Sequence, residues 1–260
     1  MIDKSKQIVK GITTVCMLSS FSLALEISSS TQAVDIAGKQ RMFTQRMLKD
    51  YAMVGMNNTF GKPDEDLKKT ISDFDDAATA LLTYTKNDET KKSVEKVKSL
   101  WISLKQALDE QASIDKVVKL QEDLEVLLKA SDDATKLFAK DSGNASGKIV
   151  NMAGRQRMLS QRMAGLYMLK VWGVEDPQFK EKMLQTMELF KTSLAELEKS
   201  ELNTEEITKL LTKVKRSFMF FEMMNKSKSK FVPTLIYKKS NDILKNMNTA
   251  TQAYVALENK

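Results

Sequence analysis

Arginine is the residue type whose placement in this chain points to chemistry. The 260 residues hold 41 lysines and arginines, and only six of these are arginines. Five of the six lie in two short segments: Arg41, Arg46, Arg155, Arg157 and Arg162. A guanidinium donates paired, planar hydrogen bonds, which suit carboxylates and small oxyanions better than a lysine ammonium does. The placement therefore indicates either buried ion pairs or a site for a small anion.

The two arginine-bearing segments are copies of one sequence, and we call each an arginine box. Residues 37–47 read AGKQRMFTQRM and residues 153–163 read AGRQRMLSQRM, so eight of eleven positions are identical at an offset of 116. The same offset aligns Phe74 with Phe190, and further pairs follow in the same order along the chain. This colinear series predicts an internal duplication.

Helical geometry groups three positions of each arginine box on one face. At about 100° per residue, the first arginine, the glycine three positions before it and the glutamine four positions after it fall within about 60° of one another. These candidate ligand-binding residues are Gly38, Arg41, Gln45, Gly154, Arg157 and Gln161. Arg46 and Arg162 lie about 140° from the first arginine on the same helix. We expect those two to be structural arginines paired with carboxylates of neighbouring helices.

The position of a glycine inside each predicted box helix requires a physical explanation. Glycine inside a helix costs about 1 kcal/mol relative to alanine, so Gly38 and Gly154 indicate that another group approaches the backbone closely. One interpretation is close helix packing, with the arginines paired to carboxylates. The other is that the duplicated helices meet about a pseudo-two-fold axis. Arg41 and Arg157 would then face each other, and an anion between them would offset their repulsion.

The elements that must position these residues are helices. Apolar residues recur at steps of three and four along both copies, which is typical of amphipathic helices in a bundle. The chain has only three prolines and nine glycines, so few breaks interrupt the pattern. We predict an all-α fold of about eight helices, arranged as two tandem four-helix-bundle modules at 34–146 and 147–260, preceded by a signal peptide at 1–33.

The first residues have the layout of a secretory signal peptide. Three lysines within residues 1–10 precede a mostly apolar run at 11–25, and small residues follow it. The run is shorter than the roughly 20 residues that a membrane span requires. We therefore predict a periplasmic, exported protein with cleavage after Ala24 or Ala33; an uncleaved N-terminal anchor is the alternative.

Composition excludes several function classes. The chain has no histidine and one cysteine, which excludes catalytic triads with histidine, imidazole metal sites, internal disulfides and cysteine-rich zinc sites. We expect no enzyme activity, no metal and no cofactor. Copper(I) binding by the 16 methionines is an alternative, but most of them lie on helix stripes or in the boxes, which favours core packing. The net charge of +7 comes from lysines interspersed with acidic residues, so nucleic acid is not an expected partner.

The arginine box resembles a motif of the periplasmic sensor module of type IV pili methyl-accepting chemotaxis transducers, which also occurs in nitrate/nitrite sensor kinases. The shared pattern is Ala-Gly-x-x-Arg-Met-x-x-x-Arg, at residues 37–46 and 153–162. The resemblance implies a four-helix bundle whose first helices meet at a two-fold interface. It also implies that the first box arginine of each partner binds nitrate there, a role that falls by position to Arg41 and Arg157.

Two hypotheses follow for the function. The first is a sensor-like protein that binds a small oxyanion, nitrate or nitrite, and signals through a membrane receptor or transducer, because the sequence continues into no kinase or methyl-accepting region. The second is a ligand-free helical scaffold that binds a receptor or a pilus-associated protein. The two boxes would meet within one chain as a pseudo-dimer, or each would be completed in a homodimer.

Overall fold

The computed structural model describes residues 25–143, 145–226 and 232–257, and all regular structure in these ranges is helical. Eight helices follow one another: α1 (Ser30–Gly55), α2 (Pro63–Tyr84), α3 (Asp88–Asp109), α4 (Ile114–Ser142), α5 (Ala145–Trp172), α6 (Phe179–Glu198), α7 (Glu205–Lys226) and α8 (Pro233–Ala256). The predicted all-α fold of about eight helices is confirmed. Most of the expected signal peptide, residues 1–24, lies outside the described residues.

The helix ends are set by local sequence. Ser29 caps α1 by accepting a hydrogen bond from the backbone N–H of Gln32 at 3.1 Å, and Asn87 caps α3 in the same way. Such side-chain caps satisfy backbone donors that the first helical turn leaves unpaired. Gly143 follows α4 with a φ of 66°, a left-handed conformation that glycine adopts without a Cβ clash.

The two helices that carry the arginine boxes form the centre of the molecule. Helices α1 and α5 pack against each other along their length; α1 also packs on α2 and α4, and α5 also packs on α6 and α8. Helix α3 packs on α4, and α7 packs on α8. Each of these contacts in the first four helices has a counterpart in the last four: α1–α2 corresponds to α5–α6, α1–α4 to α5–α8, and α3–α4 to α7–α8. A two-fold relation between the two halves requires this correspondence.

Equivalent apolar side chains fill equivalent places in the two halves. The Phe74 and Trp101 rings lie 4.3 Å apart between their centroids, and the Phe190 and Phe218 rings lie 4.5 Å apart. All four side chains are buried. Among the described residues, no helix has a stretch that is both long enough and apolar enough to cross a membrane.

Candidate functional site

The site lies at a close contact between α1 and α5, at the glycines of the two arginine boxes. A Cβ placed on Gly38 would lie 4.0 Å from the Cα of Gly154, and a Cβ placed on Gly154 would lie 3.9 Å from the Cα of Gly38. The glycine that the sequence marked as unusual is therefore a point of helix-to-helix contact. Its missing side chain also leaves space for the arginine side chains.

The guanidinium groups of Arg41 and Arg157 converge at this contact. Their Nη2 atoms lie 3.3 and 3.4 Å from the position that a Cβ on Gly38 would take, and 3.2 and 3.1 Å from the equivalent position on Gly154. Both arginine side chains are fully buried. The sequence left open whether the two arginine boxes meet; in the structure their first arginines come together within one chain.

Arg41 is held by α4 and α5. Its Nη1 donates to Oδ1 of Asp132 at 2.7 Å, and its Nη2 donates to the backbone carbonyl of Asn151 at 3.1 Å. Burial lowers the pKa of Arg41 to about 10, although the Asp132 carboxylate opposes this by raising it. The nearby positive charges of Arg155 and Arg157 lower the Arg41 pKa further. The guanidinium stays charged at neutral pH.

Arg157 is held in the corresponding way by α8 and α1. Its Nη1 lies 2.7 Å from Oδ1 of Asp35 and donates to Oδ1 of Asn248 at 3.2 Å, while its Nη2 donates to the Asp35 backbone carbonyl at 3.4 Å. Within the described residues, the Nε atoms of both arginines lack a hydrogen-bond partner. Each guanidinium thus has one carboxylate beside it and an Nε–H without a partner among the described residues.

The partners of the two arginines are related by the duplication, but their charges are not. The offset of 116 aligns Asp35 with Asn151 and Asp132 with Asn248. Both carboxylates therefore come from the first copy, and the second copy supplies amides at the matching positions. The asymmetry places one negative charge beside each guanidinium.

Each of these carboxylates divides its two oxygens between an arginine and a lysine. Oδ2 of Asp35 lies 3.0 Å from Nζ of Lys39, and it accepts a hydrogen bond from Gln252 at 2.7 Å. Oδ2 of Asp132 lies 2.6 Å from Nζ of Lys136. Burial raises the pKa of both carboxyls, but the neighbouring cations outweigh it and hold each pKa below its ordinary value. Both groups are ionised at neutral pH.

The box glutamines contact other parts of the neighbouring helices. Gln45 donates from Nε2 to Oε1 of Glu125 at 3.3 Å, and Gln161 donates to the Ser240 carbonyl at 3.1 Å. Oε1 of Gln161 also accepts from Nζ of Lys49 at 2.8 Å. In the described residues, neither glutamine is hydrogen-bonded to Arg41 or Arg157, although helical geometry puts them on the same face.

The second arginines of the boxes make ion pairs away from this point. Nη2 of Arg46 donates to Oδ2 of Asp66 at 2.8 Å, and its Nε lies 3.6 Å from Oδ2 of Asp50. Nη1 of Arg162 donates to Oε2 of Glu125 at 2.8 Å, which links α5 to α4. These contacts are of the kind expected for structural arginines.

A buried lysine lies farther along the α1–α5 contact, and sequence reasoning missed it. Nζ of Lys49 donates to Gln161 and to Oδ1 of Asn241, each at 2.8 Å, and lies 4.2 Å from the centroid of the Tyr237 ring. Burial lowers the pKa of Lys49 to about 8, against the raising effect of the Asp50 carboxylate. The duplication places a glycine, Gly165, opposite this lysine position.

The fold and these contacts together define an all-helical bundle whose two duplicated halves meet through their arginine boxes. The family of type IV pili methyl-accepting chemotaxis transducer N-terminal domains, PilJ, matches residues 25–132 and 138–218, and the chain belongs to it. Both arginine boxes and Asp132 lie inside the matched segments, and α8 lies outside them. No curated protein and no solved structure gave a match. Membership of this family fits a sensory input or interaction role.

Proposed function

We propose that this protein senses a small oxyanion of the nitrate and nitrite class, bound between Arg41 and Arg157, and passes the binding state to a membrane receptor or transducer. One observation carries the proposal: two fully buried guanidinium groups converge at a glycine-to-glycine helix contact. Guanidinium groups arranged in this way donate to planar oxyanions from two sides. Binding there would act directly on the α1–α5 contact.

The local charge supports an anion. Arg41, Arg157, Lys39, Lys136 and Arg155 are all cations near the contact, whereas three aspartates, Asp35, Asp132 and Asp133, supply the carboxylates paired with them. Arg155 has no carboxylate within ion-pair distance among the described residues. Arg41 and Arg157 themselves lie in a buried region of low dielectric, where they attract an anion more strongly than the same charges would in water.

The test is anion binding by the purified protein that begins at residue 25. Calorimetry and thermal shift would compare nitrate, nitrite, sulfate and phosphate in a buffer without competing oxyanions. Arg41→Lys and Arg157→Lys keep the charge but lose bidentate donation, and we expect each to reduce nitrate affinity at least tenfold. Arg216→Lys, at an exposed position, is the matched control. Absence of any anion response in the unaltered protein would reject the proposal.

A ligand-free interaction module is the second candidate function, and it also has a specific observation in its favour. Each arginine of the pair already has a carboxylate at 2.7 Å, so the contact is electrically compensated without a ligand. In that case the arginine boxes serve helix packing, and a receptor or pilus-associated protein binds the outer helices. Arginine variants would then lose stability and show no anion effect, whereas substitutions on exposed helix faces would weaken partner binding.

We infer further that export removes the chain up to Ala24 rather than up to Ala33. Helix α1 begins at Ser30, and Thr31 and Ala33 are buried in it, so cleavage after Ala33 would remove its first turn. Mass spectrometry of the mature protein from the periplasmic fraction measures the N-terminus directly. A mature chain that begins at residue 34, or retention of residues 1–24, would contradict this inference.

We also propose that residues 34–146 and 147–260 act as two modules of one pseudo-dimer. Helices α1 and α5 bury each other, which is the contact that a homodimer of single modules would provide. We therefore expect a monomer. Sedimentation analysis with and without nitrate tests this; a stable dimer in both conditions would contradict it.

A further inference from the structure

We propose that Asp35 and Asp132 are exchangeable counter-ions, which occupy the arginine pair in the absence of ligand and are displaced when an oxyanion binds. This inference rests on the proposed function and adds a specificity device to it. The two aspartates set how strongly an anion must bind before it can replace them. They act through the arginines, so they are positioning residues.

The first observation is the division of oxygen atoms in each carboxylate. Oδ1 of Asp35 faces Arg157, whereas its Oδ2 contacts Lys39 and the amide of Gln252. Oδ1 of Asp132 likewise faces Arg41. Because the second oxygen already has cationic partners, either carboxylate could release its arginine and remain compensated. An ordinary buried ion pair, in which each charge has one partner, would leave an uncompensated charge on opening.

The second observation is the unused capacity of the arginines. The Nε atoms of Arg41 and Arg157 are buried and lack a hydrogen-bond partner in the described part of the chain. The Nη2 atom of each arginine donates to a backbone carbonyl, at 3.1 Å for Arg41 and 3.4 Å for Arg157. Both distances are longer than the 2.7 Å between each arginine and its carboxylate. Each arginine therefore has an Nε–H group that could donate a hydrogen bond to an incoming anion.

The third observation is that the second copy lacks both counter-ions. Asn151 and Asn248 stand where the duplication would place the equivalents of Asp35 and Asp132, and Oδ1 of Asn151 is buried without a hydrogen-bond partner in the described residues. One helical turn from Asn151 lies Arg155, the equivalent of Lys39. An aspartate at position 151 would therefore find the same two kinds of partner that Asp35 has.

The duplication supplies the variants for the test. Asp35→Asn copies the second module and removes one counter-ion, and we expect it to lower the apparent Kd for nitrate about tenfold. Asn151→Asp copies the first module and adds a counter-ion, which should raise the Kd by a similar factor. Asp123→Asn removes a carboxylate on the exposed face of α4 that pairs with Lys119 at 2.6 Å, and it controls for the general change in charge.

Calorimetry with nitrate on the four proteins separates the outcomes. Tighter binding by Asp35→Asn and weaker binding by Asn151→Asp, with little change in Asp123→Asn, would support exchangeable counter-ions. Binding by the unaltered protein that Asp35→Asn leaves unchanged or weakens would overturn this inference and leave the proposed function intact. No nitrate response in any of the proteins would overturn both.

Folding of the variants needs its own measurement because Asp35 is 1% exposed. We expect Asp35→Asn to melt at a lower temperature than the unaltered protein in nitrate-free buffer, and to regain most of the loss when nitrate is added. A merely structural carboxylate would give the variant the same nitrate-induced shift in melting temperature as the unaltered protein, whereas an exchangeable counter-ion predicts a larger shift in the variant. If Asp35→Asn does not fold, Asp132→Asn answers the same question, since that side chain is 27% exposed.

Discussion

Two parts of the α1–α5 contact use the duplication in different ways. At Gly38 and Gly154 both copies contribute the same residue types, so two identical cations meet. Farther along, Lys49 of the first copy lies against the backbone of Gly165 in the second: a Cβ on Gly165 would lie 3.7 Å from the Lys49 backbone nitrogen. One part is nearly symmetric, and the other is filled from one side only.

The comparison shows what a duplicated chain gains over a homodimer. A homodimer must repeat every residue across its two-fold axis, so aspartates at the Asp35 and Asp132 positions would place four carboxylates around two arginines. A single chain can supply two, and it has amides at Asn151 and Asn248 instead. It can likewise insert one buried lysine where two would repel each other. Divergence between the copies balances the charges that symmetry brings together.

The largest expected loss of stability follows from removing one arginine of the nearly symmetric part of the contact. Arg157→Leu leaves the Asp35 carboxylate, which is 1% exposed, without its arginine. Removing one partner of a buried ion pair costs about 3–5 kcal/mol when the other charge is left unpaired. Because Lys39 still lies 3.0 Å from Asp35, we expect a loss near the lower end, about 3 kcal/mol. Urea unfolding followed by circular dichroism measures the loss, and Arg216→Leu at an exposed position should change the free energy of unfolding by less than about 0.5 kcal/mol. A loss below about 1 kcal/mol in Arg157→Leu would show that the pair does not stabilise the fold.

The second prediction concerns Lys49, in the one-sided part of the contact, and the way it makes the stability of the protein depend on pH. Because burial lowers the pKa of Lys49 from 10.5 to about 8, the unfolded state binds more protons than the folded state between these values. Stability attributable to this group is constant below pH 8 and rises with pH above it. Relative to Lys49→Met, the unaltered protein should gain about 2 kcal/mol between pH 8 and 9.5. Parallel stability curves for the two proteins would refute the lowered pKa.

Alanine substitutions at Gly154 and Gly165 test the two parts of the α1–α5 contact separately. In Gly154→Ala the new Cβ would lie 3.1 Å from Nη2 of Arg157 and 3.2 Å from Nη2 of Arg41, so both arginines must shift. We expect a loss of about 1–3 kcal/mol, as for other overpacked sites. In Gly165→Ala the nearest atoms are 3.6–3.8 Å away, so the gain in helix propensity should stabilise by up to about 1 kcal/mol. Thermal unfolding of both variants should give shifts of opposite sign, and equal signs would contradict the geometry.

The smallest effect concerns the box glutamines that precede the arginines. Gln156 donates to Oγ of Ser193 at 2.6 Å, whereas the buried amide of Gln40 has no hydrogen-bond partner among the described residues because Ala77 stands at the equivalent place. An unsatisfied buried amide is costly. Gln40→Leu should stabilise by about 1 kcal/mol, and Gln156→Leu should destabilise by a similar amount. Denaturant midpoints measured side by side test the pair.

The sequence predicted the helices and the faces of the arginine boxes because both depend on local periodicity. Arg41 and Arg157 were predicted to face each other only on the condition of a two-fold axis, which local spacing does not determine. Their partners Asp132 and Asn248 each lie 91 residues along the chain from the arginine they contact. Nothing in the sequence around those two residues distinguishes them from solvated helix positions.

Lys49 was missed for a related reason. By residue type it belongs with the surface lysines, and its burial depends on Gly165, which tertiary packing brings opposite it. The alignment of the two copies did carry a signal, since a lysine aligned with a glycine is an unusual exchange within a repeated helix. Gln45 and Gln161 show the converse: helical geometry places them on the face of Arg41 and Arg157, but α4 and α8 provide their hydrogen-bond partners.

The connection between the two copies has a consequence for how the arginine pair forms. Helix α4 ends at Ser142 and α5 begins at Ala145, so the two copies are joined by a very short link. A short link gives the joined parts a millimolar effective concentration for each other. The meeting of Arg41 with Arg157 is thus a first-order event, independent of how dilute the protein is. If the protein is the proposed sensor, its response depends on the amount of its ligand and not on its own abundance.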